Sequence, residues 1–315
     1  MWPARNLFGG PNSEIADKHG GIMTFKNIIQ SAAVVSLLVS AVAFADGGDQ
    51  DFVVGGTTVQ ASDPIASSTV LIVGESEQTN PKTGKPVIDP KTGQPQLGTY
   101  ICSGSIIAQD MIVSAAHCVA ENIQYPTDPS KIIVIFGTKL PMSGANQIDA
   151  SSPEIHKISG YKYDPQWTGT QTSLNGPDAH DLSVIRFEGS LPAGYAPATM
   201  LDSRTDLVQG EKVTIAGYGI TSPNDQTGAS AGTLRKVTLT LGGAYGQTEE
   251  QVKDTRTKGS CNGDSGGPAF VTVNGQLYLW GATSRGAQSC ATETIYTDIR
   301  DFSDFISESE SALRN

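Results

Sequence analysis

The chain has 315 residues, 38% hydrophobic and only 17% charged, enough apolar material to bury a core as one large domain or two of ordinary size. A formal net charge of −11 and the lack of any Lys/Arg run exclude a nucleic-acid surface, because nothing is there to neutralise phosphates. Scarce charge beside 35 glycines and many Ser and Thr favours strands joined by tight turns, so an all-β fold is expected.

Residues 1–22 are polar and Gly-rich and precede a sharper signal. Met23-Thr24-Phe25-Lys26 is a short basic leader, Ile28 to Phe44 is mostly apolar, and Ala43-Phe44-Ala45 fits a signal-peptidase site, which predicts export with cleavage after Ala45. A membrane anchor is disfavoured. The apolar segments are short, and Asp46, Asp49 and Asp51 follow instead of a basic flank. Because leaders begin near the initiator, Met23 is expected to be the start and residues 1–22 an upstream extension.

From Val53 onward, short apolar runs are punctuated by turns. The runs Thr69–Val73, Ile101–Ile107, Ile132–Phe136, Leu182–Phe187, Lys212–Ala216, Leu234–Leu241, Ala269–Val273 and Gln276–Trp280 read as strands. Between the first two lies a small repeat, Pro81-Lys82-Thr83-Gly84-Lys85-Pro86 and Pro90-Lys91-Thr92-Gly93-Gln94-Pro95, whose composition predicts a surface hairpin or loop. A helix is predicted only over Arg300–Ala312, where Phe302, Phe305 and Ile306 recur at helical intervals.

The four cysteines, Cys102, Cys118, Cys261 and Cys290, all follow the leader, and an even count in an exported chain suggests disulfides. Three pairings are possible. The sequence-local one would close two modest loops worth roughly 3 kcal/mol each. No Cys-x-x-Cys or His-x-x-x-His spacing supports a metal site, and the segment Thr138–Gln147 lacks the carboxylates a calcium site needs.

Chemistry concentrates in Lys258–Pro268, a Gly-dense turn around Ser265. A serine hydroxyl attacks a carbonyl only with a general base and with donors for the resulting oxyanion; the N–H groups of Gly263 and Ser265 could supply the donors. The base must come from His117, His156 or His180, since His19 precedes the cleavage site. His117 follows a strand-like run and adjoins Cys118, which would fix its ring, whereas His156 reads as structural and His180 as lining a loop near the site. The orienting acid is expected to be Asp181, which leads the apolar run Leu182-Ser183-Val184-Ile185. Asp178 follows a turn and should be exposed.

With these residues assembled, Val53 to Ile306 resembles the chymotrypsin-like serine proteases, the family that includes trypsin and elastase. The resemblance is carried by Val53-Val54-Gly55-Gly56, Ser114-Ala115-Ala116-His117-Cys118, Asp181-Leu182-Ser183-Val184-Ile185 and Cys261-Asn262-Gly263-Asp264-Ser265-Gly266-Gly267-Pro268. It implies two antiparallel six-stranded β-barrels, over residues 53–188 and 200–299, then a C-terminal helix over 300–312. The site would lie in the cleft between them. The Gly-x-Ser-x-Gly elbow of lipases also fits residues 263–267, but no histidine follows Ser265, which excludes that chain order.

The resemblance further implies a monomeric, secreted endopeptidase acting on proteins or peptides, without a cofactor. His117, Asp181 and Ser265 would be catalytic. Asp264 would pair with a new α-amino group at Val53 after an activating protease removes a propeptide, residues 46–52; Phe52 before the cut argues against a trypsin-like activator. Family specificity rests on the residue six before the nucleophile, here Gly259, which with Ser260 gives an uncharged floor. Ser284, Gly286 and Thr294 would form the walls, favouring medium apolar side chains over Lys or Arg. Glu293 could intrude and restore some preference for cations, and Arg285, where the family usually has an aromatic, could favour acidic or polar residues further along the substrate, with Lys258 and Arg256 nearby, or pair with Glu293. A catalytically silent binding protein presenting the 74–99 loop is the alternative.

Overall fold

The computed structural model describes residues 53–315 except 79, 81–82, 84, 121–126, 145–146, 170–177, 203–206 and 226. The expected extension (1–22), signal peptide (23–45) and propeptide (46–52) lie outside the described residues. In the first half the strands are β1 (Thr57–Thr58), β2 (Thr69–Glu77), β3 (Leu97–Ile106), β4 (Met111–Ser114), β5 (Ile132–Ile135), β6 (Met142–Gly144), β7 (Gln147–Ile148), β8 (Ile155–Tyr163) and β9 (Ser183–Phe187). The second half carries β10 (Lys212–Gly217), β11 (Arg235–Ala244), β12 (Glu249–Lys253), β13 (Pro268–Val273), β14 (Gln276–Gly286) and β15 (Glu293–Asp298).

Strands β2-β3-β4-β9-β8-β5 close into a six-stranded antiparallel barrel. A second ring runs β11-β10-β13-β14-β15-β12 and closes through β11–β12, with β1 added at the edge of β11. After a 3₁₀ turn (Ile299–Phe302), helix α1 (Ser303–Arg314) ends the chain. Asp298 accepts the Arg300 N–H at the turn's start, and the expected helix thus begins a few residues late.

The unbroken apolar run at β2 follows from what covers its two faces. Val70 and Ile72 point into the first barrel with Ile112, Val134 and Ile185, whereas Leu71 and Val73 join a shared core with Tyr218, Phe270 and Leu279. Side chains alternate along a strand, so burial on both faces requires an apolar residue at every position. The same shared core takes in Phe302 and Ile306, anchoring the start of the C-terminal helix, while Val213, Leu239, Val271 and Trp280 fill the second barrel.

Strand β2 and strand β3 stay paired as far as Glu77 with Leu97, and the Asp89 N–H to Gln94 O bond continues the hairpin, so the second copy of the repeat, Pro90–Pro95, lies at a surface hairpin as expected. Strands β12 and β15 were not legible as strands; β12 reads Glu-Glu-Gln-Val-Lys although Glu249 and Glu250 are buried.

Candidate active site

The loop carrying Ser265 joins β12 to β13 and is tethered by a disulfide at Cys261. Cys261 is bonded to Cys290 and Cys102 to Cys118, the sequence-local pairing, with Cα separations of 5.0 and 6.1 Å. Ser103, next to Cys102 on the first barrel, donates its N–H to Ser265 O (2.8 Å) and its Oγ to Gly263 O (3.0 Å), while that Oγ accepts the Tyr218 N–H. One serine therefore laces the loop to the opposite barrel, a role no local sequence pattern announces. Gly266 has a φ of 73°, and a Cβ there would lie 2.0 Å from Ser114 Oγ and 2.6 Å from Ser103 O, so no larger residue fits. Ser265 is 5% exposed. Among the described residues, neither its N–H nor that of Gly263 is given to a protein acceptor, leaving both donors for a ligand.

His117 lies in a short 3₁₀ turn (Ala116–Cys118) just after β4, and Asp181 lies two residues before β9. The two strands pair, which brings the residues together. His117 Nδ1 is 2.8 Å from Asp181 Oδ2, and the His117 backbone N–H donates to Oδ1 at 3.0 Å. Ser284 Oγ, on β14 of the second barrel, also donates to Oδ2 at 2.8 Å. Burial opposes ionisation of Asp181, which is fully enclosed, yet the His117 charge and these hydrogen bonds hold its carboxyl below the usual range. A buried carboxylate thus grips His117 through Nδ1 and through its backbone N–H. The remaining histidines do otherwise: His156 Nδ1 contacts Glu188 O at 2.8 Å and its ring meets Phe136 and Phe187, and His180 lies 3.5 Å from Asp164 beside Phe302. Asp178 accepts the N–H groups of Gln247 and Thr248, away from His117.

Residues 72–306 match the family described as Trypsin. The chain belongs to the trypsin family of serine endopeptidases. Among curated proteins it is 28% identical over 209 residues to brachyurin of Leptuca pugilator, covering 63% of this chain and 81% of that protein. It is 26% identical to phenoloxidase-activating factor 1 of Holotrichia diomphalia over 66% of this chain and 61% of the relative, and 27% identical to serine protease Hayan of Drosophila melanogaster over 66% and 34%. The matched region is therefore less than two thirds of the length of several of these relatives.

Around the residues expected to form the specificity pocket, the structure adds contacts that the sequence reading did not anticipate. Gly259 and Ser260 are buried and uncharged, with Ser260 Oγ 2.6 Å from Tyr296 OH, but a carboxylate from outside this stretch, Asp254, packs directly against Gly259. Thr294, also buried, donates to Asp254 Oδ2 at 2.6 Å. Ser284 is turned to Asp181 and is not simply a wall, and Gly286 is buried at the end of β14. Arg285 does not pair with Glu293. Its guanidinium makes a two-pronged bond to buried Glu249 (2.5 and 2.7 Å) and lies over the Tyr245 ring, while Glu293 accepts from Gln251. Glu249 was hidden because a strand of polar composition carries it.

Asp264 accepts the N–H groups of Cys261 and Gly219, both at 2.8 Å, and Val53 is buried with a φ of 52° in the second-barrel core. Burial pushes the Asp264 carboxyl up to about 6, although these N–H groups and Arg235 favour its charge. A raised carboxyl holds its proton more tightly folded than unfolded. Its stabilising contribution is therefore complete below about pH 4 and lost as pH rises through about 6, a change of roughly 3 kcal/mol. Urea midpoints of uncleaved chain at pH 4.5 and 7.5 should show this loss, and Asp264→Asn should flatten it.

Proposed function

We propose that the chain is an exported serine endopeptidase, made as a zymogen, that hydrolyses peptide bonds through an acyl-enzyme. Ser265 Oγ bonds to the scissile carbonyl carbon as its proton passes to His117 Nε2. The carbonyl electrons move to oxygen, which takes the N–H groups of Gly263 and Ser265. His117 then returns the proton to the departing amine, and water repeats the sequence to release the acid. Asp181 holds the imidazole in the required tautomer and stabilises its cation.

The observation that carries this reading is the convergence of His117 N–H, His117 Nδ1 and Ser284 Oγ on buried Asp181, beside a nucleophile loop with two uncommitted N–H donors. Activation follows from the same loop: cutting before Val53 would create an α-amino group able to pair with Asp264, whose enclosure favours an ion-pair partner. The uncharged residues Gly259 and Ser260 alone would favour medium apolar side chains before the cut. That preference gives way to the acid lying beside them, taken up below.

Exposing secreted protein to a serine-directed phosphonate and sequencing the labelled material tests the reading. Wild type should label on Ser265 and begin at Val53, and Ser265→Ala should not label. Wild-type material beginning at Val53 that takes no label would leave a silent binding protein instead.

A further inference from the structure

The uncharged reading of the specificity region omits the residue that fills it. Asp254 follows β12 and is 7% exposed. An ideal Cβ built on Gly259 would fall 2.6 Å from its Cγ and 2.9 Å from its Oδ2, so the carboxylate occupies the space into which residue 259 would project a side chain. Glycine is required there because Asp254 is present. Its Oδ2 accepts the Thr294 hydroxyl, whereas Oδ1 is buried with no protein partner among the described residues. Burial pushes the carboxyl up to about 7; the charges of Asp264 and Glu293 add to this, while the Thr294 hydroxyl and the Ser260 backbone N–H favour the ionised form. An enclosed carboxylate with one oxygen unmatched is costly unless a cation or a donor reaches it.

Resting on the endopeptidase reading above, we propose that Asp254 is the specificity-determining acid of this site, receiving the cationic end of a Lys or Arg side chain at the residue before the cut. Chain position 259 is where relatives of the trypsin type carry this acid. Here the same charge comes from five residues upstream, through the gap left by Gly259. Serine and threonine at 260 and 294 then serve a cation as polar neighbours and do not close an apolar slot. Arg285 does not compete for Asp254, since Glu249 holds it.

Two measurements test this. Activated wild type should cleave Arg and Lys peptides well ahead of Leu and Phe peptides, and Asp254→Asn should shrink the Arg-to-Leu ratio of kcat/KM by about 10²-fold, the scale of losing one buried charge partner. A ratio is read because general damage to folding lowers both values together. In parallel, benzamidine, an aromatic amidinium, is titrated by calorimetry into Ser265→Ala protein beginning at Val53, alongside uncharged benzyl alcohol. Benzamidine should bind at least about 10²-fold more tightly, and Asp254→Asn should remove the difference. Equal binding of the two probes, or an Arg-to-Leu ratio unchanged by Asp254→Asn, overturns the assignment. If no peptide is cleaved while benzamidine binding still depends on Asp254, the catalytic reading fails and the cation site stands.

Discussion

Asp181→Asn is expected to lower kcat by about 10⁴-fold, the scale measured when the orienting acid of such a triad becomes an amide. The geometry explains why the amide is a poor substitute. Oδ1 accepts the His117 backbone N–H, and Oδ2 accepts from both the His117 ring and Ser284. An asparagine must turn its NH₂ toward one of these positions. Facing the backbone N–H, it sets donor against donor. Facing the ring, it forces the proton to the other imidazole nitrogen, which then cannot accept one from Ser265. Single-turnover kinetics on an ester substrate, with active sites counted by phosphonate labelling, would measure the effect. A loss below tenfold would remove Asp181 from the mechanism.

The second large effect concerns stability. Glu249→Ala should destabilise the fold by about 3–5 kcal/mol, because Arg285, 2% exposed, would lose the carboxylate that takes its two-pronged bond in the interior. Glu249 Oε1 also accepts the Ala179 N–H, so the change orphans a backbone donor close to Asp181. Replacing both partners, Glu249→Leu with Arg285→Met, should recover most of the loss, since two apolar residues leave no buried charge to satisfy. Urea denaturation of the single and double variants checks this, and equal midpoints for the two would show that the ion pair is not the cause.

Much of the site was legible because its chemistry is rare and local. Few histidines were available, one acid led an apolar strand, and one serine lay among glycines, which made His117, Asp181 and Ser265 candidates, and the resemblance to the serine proteases supplied their proposed roles. Several strands were also legible, because a barrel strand covered on both faces must be apolar throughout. Ser103 and Glu249 were not, for a common reason: their roles are partnerships across long chain separations. Ser103 reaches a loop 160 residues away and Arg285 reaches Glu249 across 36. Buried acids on β12 look like a solvated segment until the arginine they neutralise is known.

The sequence by itself determined the strand-rich composition, the short inventory of reactive groups and the order in which they occur, since these depend only on residue type and near neighbours. Which side chain fills the gap at Gly259 was decided by tertiary structure alone. The space belonging to one residue was taken by another, Asp254, five positions earlier. Charge acts through distance in the folded molecule and not through position in the chain, and so the carboxylate beside Gly259 came into view only when the strands had closed.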